Sequence, residues 1–179
     1  MKTRRFATLA AMLAIGCAWA PTLLAQDDEA ATAITARVHG TFVDAAGGLG
    51  VLSGDLTVVR FEVRSGTVTA VGRILGSLAD SVGNRLGRVD QELALPVGNV
   101  ASTCNQLRMD LAATDAEVLQ TLVHFDGEVA GFDSRDGTTP KALGVLCAAG
   151  ELLRGKPAPA LLAGALDAIV VAVRSRRSQ

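Results

Sequence analysis

The stretch GDLTVVRFEVRSGTVTAVGRILGSLAD, Gly54 to Asp80, decides how this chain folds. It contains two runs of alternating character on either side of Ser65-Gly66, a pair suited to a tight turn. In the first run Thr57, Val59, Phe61 and Val63 fall on one face, and Arg60, Glu62 and Arg64 on the other. In the second, Val68, Ala70, Gly72, Ile74, Gly76 and Leu78 share a side. A period of two rich in β-branched residues describes strands with one buried and one wetted face, so the segment is read as a β-hairpin.

The same period extends in both directions. Upstream, Val38, Gly40 and Phe42 make a strand that breaks at Gly47-Gly48. Downstream, Ser81 to Asn84 is a turn, and Arg85 to Leu95 is a strand that Pro96, lacking an N–H, is expected to end. Leu107, Met109 and Leu111 then alternate with Arg108 and Asp110. A further strand is expected around Val118 to Val129, with Leu119, Thr121, Val123 and Phe125 on one face. Glycine recurs two residues before an apolar one at Gly40, Gly54, Gly76 and Gly127, which suits bends in a curled sheet. No Gly-x-Gly-x-x-Gly or Walker pattern makes these a phosphate loop. The fold class expected is mainly β (α+β): a curled antiparallel β-meander, barrel- or sandwich-like, followed by two helices.

The helices are announced by a change of period. Pro140 starts one that spans about 139–154, with Leu143, Leu146, Cys147, Gly150 and Leu153 as its apolar stripe. The second, about 159–173, is apolar nearly all round apart from Asp167 and ends in Arg174, Arg176 and Arg177, charges that favour a helix C-terminus. It is short for a membrane span, and the expectation is packing on the sheet, with docking on a membrane or partner as the alternative.

At the N-terminus, Lys2, Arg4 and Arg5 precede the apolar stretch Phe6 to Gly16, and Leu23-Leu24-Ala25 precedes Gln26. This is the organisation of a secretory signal peptide over residues 1–25, cleaved between Ala25 and Gln26. An uncleaved anchor, or lipidation at Cys17 behind Ala14-Ile15-Gly16, are the alternatives. Residues 26–36 read as a flexible leader, and 37–179 as a single domain. The expected location is secreted, periplasmic or cell envelope.

Removing residues 1–25 takes three of the 17 basic residues and none of the 18 acidic ones, for a formal net charge of −4. Nucleic acid is therefore not an expected partner. Trp19 leaves as well and there is no tyrosine, so Phe42, Phe61, Phe125 and Phe132 are the remaining aromatics and a carbohydrate-stacking surface is not expected. Nor is an integral membrane span after signal removal. Cys104 and Cys147 remain, an even pair that in an exported chain is most simply one disulfide.

Catalytic and metal chemistry finds little to build on. His39 has no acid near it in sequence, while His124 has Asp126 two residues on, on the same face. The acidic segment Asp126, Glu128, Asp133, Asp136, Gly137 lacks the register of a calcium loop. Ser53 before Gly54 is not in a nucleophile elbow. No catalytic residue, metal site or cofactor is expected, and the chain is read as a non-enzyme.

The string Gly54-x-Leu56-x-x-x-x-Phe61, Ala70-Val71-Gly72, Cys104 followed by Leu107-x-x-Asp110-Leu111, and Leu146-Cys147-Ala148 resembles a loose group of exported bacterial proteins of unknown function, with a Gly-rich β domain and one cysteine pair. The resemblance spans roughly Gly40 to Leu153 and departs at Ala113 to Glu117, where that group carries a longer Leu-rich strand region with Leu-Gly turns. It implies a one-disulfide β domain with C-terminal helices and no activity. The sequence thus points to an exported structural or interaction domain, whose partner is an unidentified protein, or alternatively to a carrier of a small apolar ligand or lipid. Intact mass of the exported protein is expected to match a chain beginning at Gln26; an added acyl mass would move the mature start to Cys17.

Overall fold

The computed structural model describes residues 33–134 and 140–174. The proposed cleavage site at Ala25 and Gln26 lies outside these residues, as do Asp136 and Gly137. The elements are β1 (Thr35–Val43), β2 (Leu49–Arg64), β3 (Thr67–Ala79), β4 (Arg85–Ser102), β5 (Gln106–Leu111), β6 (Thr114–Val118), β7 (Thr121–Phe125), β8 (Glu128–Asp133), α1 (Pro140–Arg154) and α2 (Pro159–Arg174). The strands form one antiparallel sheet in the order β2-β3-β4-β5-β8-β1-β7-β6, with a further β2–β1 pairing.

That further pairing closes the sheet. β1 lies against β2 along one edge, from Thr35↔Thr57 to Val43↔Leu49, and against β7 and β8 along the other. β5 and β6 run in the same direction one after the other, as do β7 and β8, so each pair is one long stave broken in the middle. The result is a six-stave up-and-down barrel. Where β4 passes β6 no ladder forms; instead the Gln91 side chain donates to Glu117 O at 2.9 Å and accepts from Leu119 N at 3.3 Å, standing in for a peptide group.

Two glycine sites allow this tight curl. Gly54 and Gly76 are directly opposed, and a Cβ at Gly54 would sit 2.7 Å from Leu75 O and 2.9 Å from Gly76 Cα. A Cβ at Gly40 would meet Val123 Cγ1 at 2.6 Å. The hairpin turn at Ser65-Gly66 has positive φ at both residues, 48° and 79°, as a primed turn requires.

Several sequence expectations change. The faces of β2 switch at Val59, where a bulge shifts the register between Val58↔Gly72 and Arg60↔Val71. Leu52, Leu56, Val58 and Phe61 are consequently the buried set, rather than a strict Thr57-Val59-Phe61-Val63 alternation. β4 does not stop at Pro96: that residue is where β4 leaves β3 for β5, so its missing N–H costs nothing, and Pro96 O accepts from Ala112 N at 2.8 Å. The expected strand over Val118 to Val129 is broken twice, by a turn at Leu119-Gln120 and again before β8. β1 begins inside the supposed leader, with Ile34 and Ala36 already buried. On α1 the buried stripe is Ala142, Leu146 and Ala149, with Cys147 half-buried beside it.

The helices close one end of the barrel. Ala163, Leu166, Ile169, Val170 and Val173 of α2 enter the same apolar cluster as Leu56, Phe61 and Ile74. Beyond the end of β1, two backbone groups of β2 have no strand partner, and the two charged side chains of α2 take them. Asp167 Oδ1 accepts from Phe61 N at 2.6 Å, and Arg174 Nη2 donates to Val58 O at 3.0 Å. Seven residues apart, these side chains share a helix face. Replacing Asp167 with Leu strands the Phe61 N–H and is expected to cost about 1–3 kcal/mol in urea unfolding, against a few tenths for an exposed change such as Ala168→Ser. Equal stability of the two variants would remove the clasp.

Candidate functional site

Three places could carry chemistry: the barrel interior, the outer wall and the cysteine pair. The interior is occupied by the protein's own side chains. Ile34, Leu52, Leu56, Ile74, Leu95, Leu107, Met109, Leu111 and Phe125 are all under 2% exposed, and Leu166 and Ile169 close the end above them.

The outer wall is polar and ion-paired. Arg60 reaches across β3 to make a two-pronged bridge with Glu92, at 2.9 and 3.0 Å, and Val71 lies fully buried on the strand beneath it. The guanidinium holds the Glu92 carboxyl below the usual range. Arg73 grips Asp90 in the same two-pronged way at 2.5 and 2.7 Å, which lowers the Asp90 pKa. Such exposed pairs add little stability individually. What they do is make the wall charged, the opposite of the apolar outer band of a membrane-spanning barrel. Among the described residues no helix is long and apolar enough to cross a membrane.

A groove of about 350 Å³ runs over this wall, lined by Arg37, His39, Ser53, Gly54, Asp55, Leu75 and Gly76. The register builds it from two rows of outward residues, His39-Ser53-Ser77-Arg88 and Arg37-Asp55-Leu75-Asp90. Small residues form its floor, and Arg37 stands loosely 4.0 Å from Asp55. His39 Nδ1 lies 3.0 Å from Glu128 Oε1, on the side away from Ser53. Acid, imidazole and hydroxyl therefore occur in that order across neighbouring strands. Yet among the described residues no hydrogen bond joins Ser53 to His39. β2 is paired on both sides here, which consumes the backbone N–H groups that an oxyanion would need. The groove can hold a polar group; it is not built for acyl transfer.

The other histidine corrects an expectation. His124 Nδ1 pairs with Asp115 of β6 at 2.7 Å, not with Asp126, because the Leu119-Gln120 turn folds β6 back against β7. Both histidines have a carboxylate partner, and neither could be assigned one from sequence spacing. The acidic segment is likewise dispersed: Glu128 faces His39, and Asp133 ends β8 opposite Gln106. Among the described residues no three metal-ligating side chains come together.

Cys104 and Cys147 are joined, with Cα atoms 4.1 Å apart and a sequence separation of 43. Cys104 sits in the β4–β5 turn and Cys147 on α1, so the bond fastens the helical cap to the rim. Ser102 Oγ adds a hydrogen bond to Leu146 O at 3.1 Å. On the loop-closure argument the bond is worth about 4 kcal/mol.

At the opposite end the decisive polar residue is Asp44, which the sequence reading passed over. Its carboxylate accepts from Ala46 N, Gly48 N, Ser81 N and Ser81 Oγ at 2.6 to 3.0 Å, tying the β1–β2 turn to the β3–β4 turn. These bonds, led by the Ser81 hydroxyl, favour the anion and lower the Asp44 pKa from 3.8 to about 2. The only local signal was Asp44 three residues ahead of Gly47-Gly48, a common turn composition.

Comparison with known families, curated proteins and solved structures gives no match.

A depressed carboxyl pKa means that the anion stabilises the fold fully above the ordinary carboxylate range, and that this contribution fades as pH falls toward 2. Ser81→Ala is expected to raise the Asp44 pKa in a carboxyl NMR titration and to flatten the loss of stability below about pH 4. An unmoved titration would discard the hydroxyl as its cause.

Proposed function

We propose that the chain is an exported, non-enzymatic structural or interaction module that works through its outer surface. The observation that supports this best is the filled barrel: the space where a carrier would hold an apolar ligand is taken by Leu56, Ile74, Met109 and Phe125, with Leu166 and Ile169 of α2 in the mouth. A lined cavity is what small-molecule carriers use, and side chains packed through the described interior weigh against the alternative, a lipid or apolar-ligand carrier. The disulfide supports an oxidising, extracytoplasmic location, where a bond between Cys104 and Cys147 persists. The partner of such a module is a surface rather than a small molecule.

Native mass spectrometry of protein recovered from its own host is expected to give the bare mature mass, and added fatty acids are expected to leave the melting temperature unchanged. A retained stoichiometric lipid, or a melting temperature that climbs with fatty-acid concentration, would return the carrier reading.

A further inference from the structure

The barrel has two unlike ends. One is covered by α1 and α2. The other consists of three turns, between β1 and β2, β3 and β4, and β6 and β7. Each turn carries or adjoins two exposed aliphatic residues: Val43 and Leu49, Val82 and Leu86, Leu119 and Leu122. Their exposures run from 47% at Leu119 to 80% at Val82. With Val51, they account for seven of the twelve large apolar side chains exposed among the described residues.

The turns hold together as one rim. Val43 is paired with Leu49, and the register Thr41↔His124 brings Val43 beside Leu122. Asp44 binds Ser81 of the next turn. Gln91 ties β4 to the β6–β7 turn. Leu86 is the extra residue where the β3–β4 register shifts between Leu78 and Ala79. Leu119 has φ 49° and Gln120 φ 65°, a conformation that glycine and asparagine adopt far more cheaply. Turn chemistry therefore does not account for a leucine at this tip.

We propose that this end docks on the surface of a zwitterionic lipid bilayer, its aliphatic tips entering the boundary between headgroups and acyl chains. The proposal rests on the export reading, which places the domain beside such a surface. Aliphatic side chains spread over three turns of one rim suit a fluid interface, which yields to each of them, whereas a protein hot spot is commonly anchored by Trp, Tyr or Arg. Around the turns, Asp44, Asp80 and Glu117 outnumber Arg85, so anionic headgroups are disfavoured.

The test uses protein purified from the extracytoplasmic fraction, its N-terminus read by intact mass. It is expected to sediment with phosphatidylcholine vesicles and to bind less tightly as phosphatidylglycerol is added. Val82→Ser combined with Leu122→Ser is expected to weaken binding by about tenfold or more at an unchanged melting temperature. In a second measurement, Val82→Trp should shift its emission to the blue on adding phosphatidylcholine vesicles, while Leu161→Trp on α2 should not. Absent vesicle binding, binding that ignores the double variant, or a blue shift confined to Leu161→Trp would overturn the proposal. So would rim-dependent self-association without lipid, which would assign this end to a second copy of the chain. A mass that retains residues 1–25 would undo the export reading alone, because the variants share that segment and their difference still reports on the rim.

Discussion

β1 is hydrogen-bonded along both of its edges, to β2 on one side and to β7 and β8 on the other. A meander of this length would otherwise leave two open edges with unpaired N–H and C=O groups. Closing it removes them and forces the sheet into a small cylinder, and most of the other features follow from that radius. Glycine has to stand at Gly54, Gly76 and Gly40, where a side chain would collide with backbone or with Val123. The inward positions have to be filled by aliphatic side chains and the four phenylalanines, Phe42, Phe61, Phe125 and Phe132. The remaining gap, between β4 and β6, is too irregular for a ladder and is bridged by a single amide side chain, Gln91.

Closure also creates the need for the helices. β2 extends past the end of β1, which leaves the Val58 carbonyl and the Phe61 amide without a strand partner, and its bulge at Val59 turns Phe61 inward. An apolar helix alone would cover the hydrophobic opening but leave those groups without partners. Asp167 and Arg174 are what allow α2 to lie over the bulge, so the two charges on an otherwise apolar helix serve the backbone of another element. The disulfide and the Ser102 hydroxyl then hold α1 at the same end. A barrel filled and capped in this way presents its ion-paired wall and its rim of turns to the outside.

The outer-wall groove illustrates how geometry constrains chemistry. His39, Ser53 and Glu128 have the identities and the strand order of an acid, a base and a hydroxyl. A paired sheet nevertheless spends its amide donors on its neighbours, so none of β2's backbone N–H groups here is free to face a reacting oxygen. Residue types at a promising spacing are not enough without free donors aimed at a reacting atom.

Periodicity, turn composition and helix limits were determined by the sequence alone, because each depends on steric preferences acting over a few neighbouring residues. The β2–β3 hairpin with Ser65-Gly66, the inward face of β3, the alternation around Met109 and the extents of both helices could all be read in this way. The extra residue at Val59 and the turn at Leu119-Gln120 could not, since neither carries a glycine or proline to mark it. The tertiary structure alone decided which edges pair, which carboxylate meets each histidine, and what Asp44, Asp167 and Arg174 bind. Those partners lie up to 116 positions apart in the chain, and only barrel closure brings them within hydrogen-bonding distance.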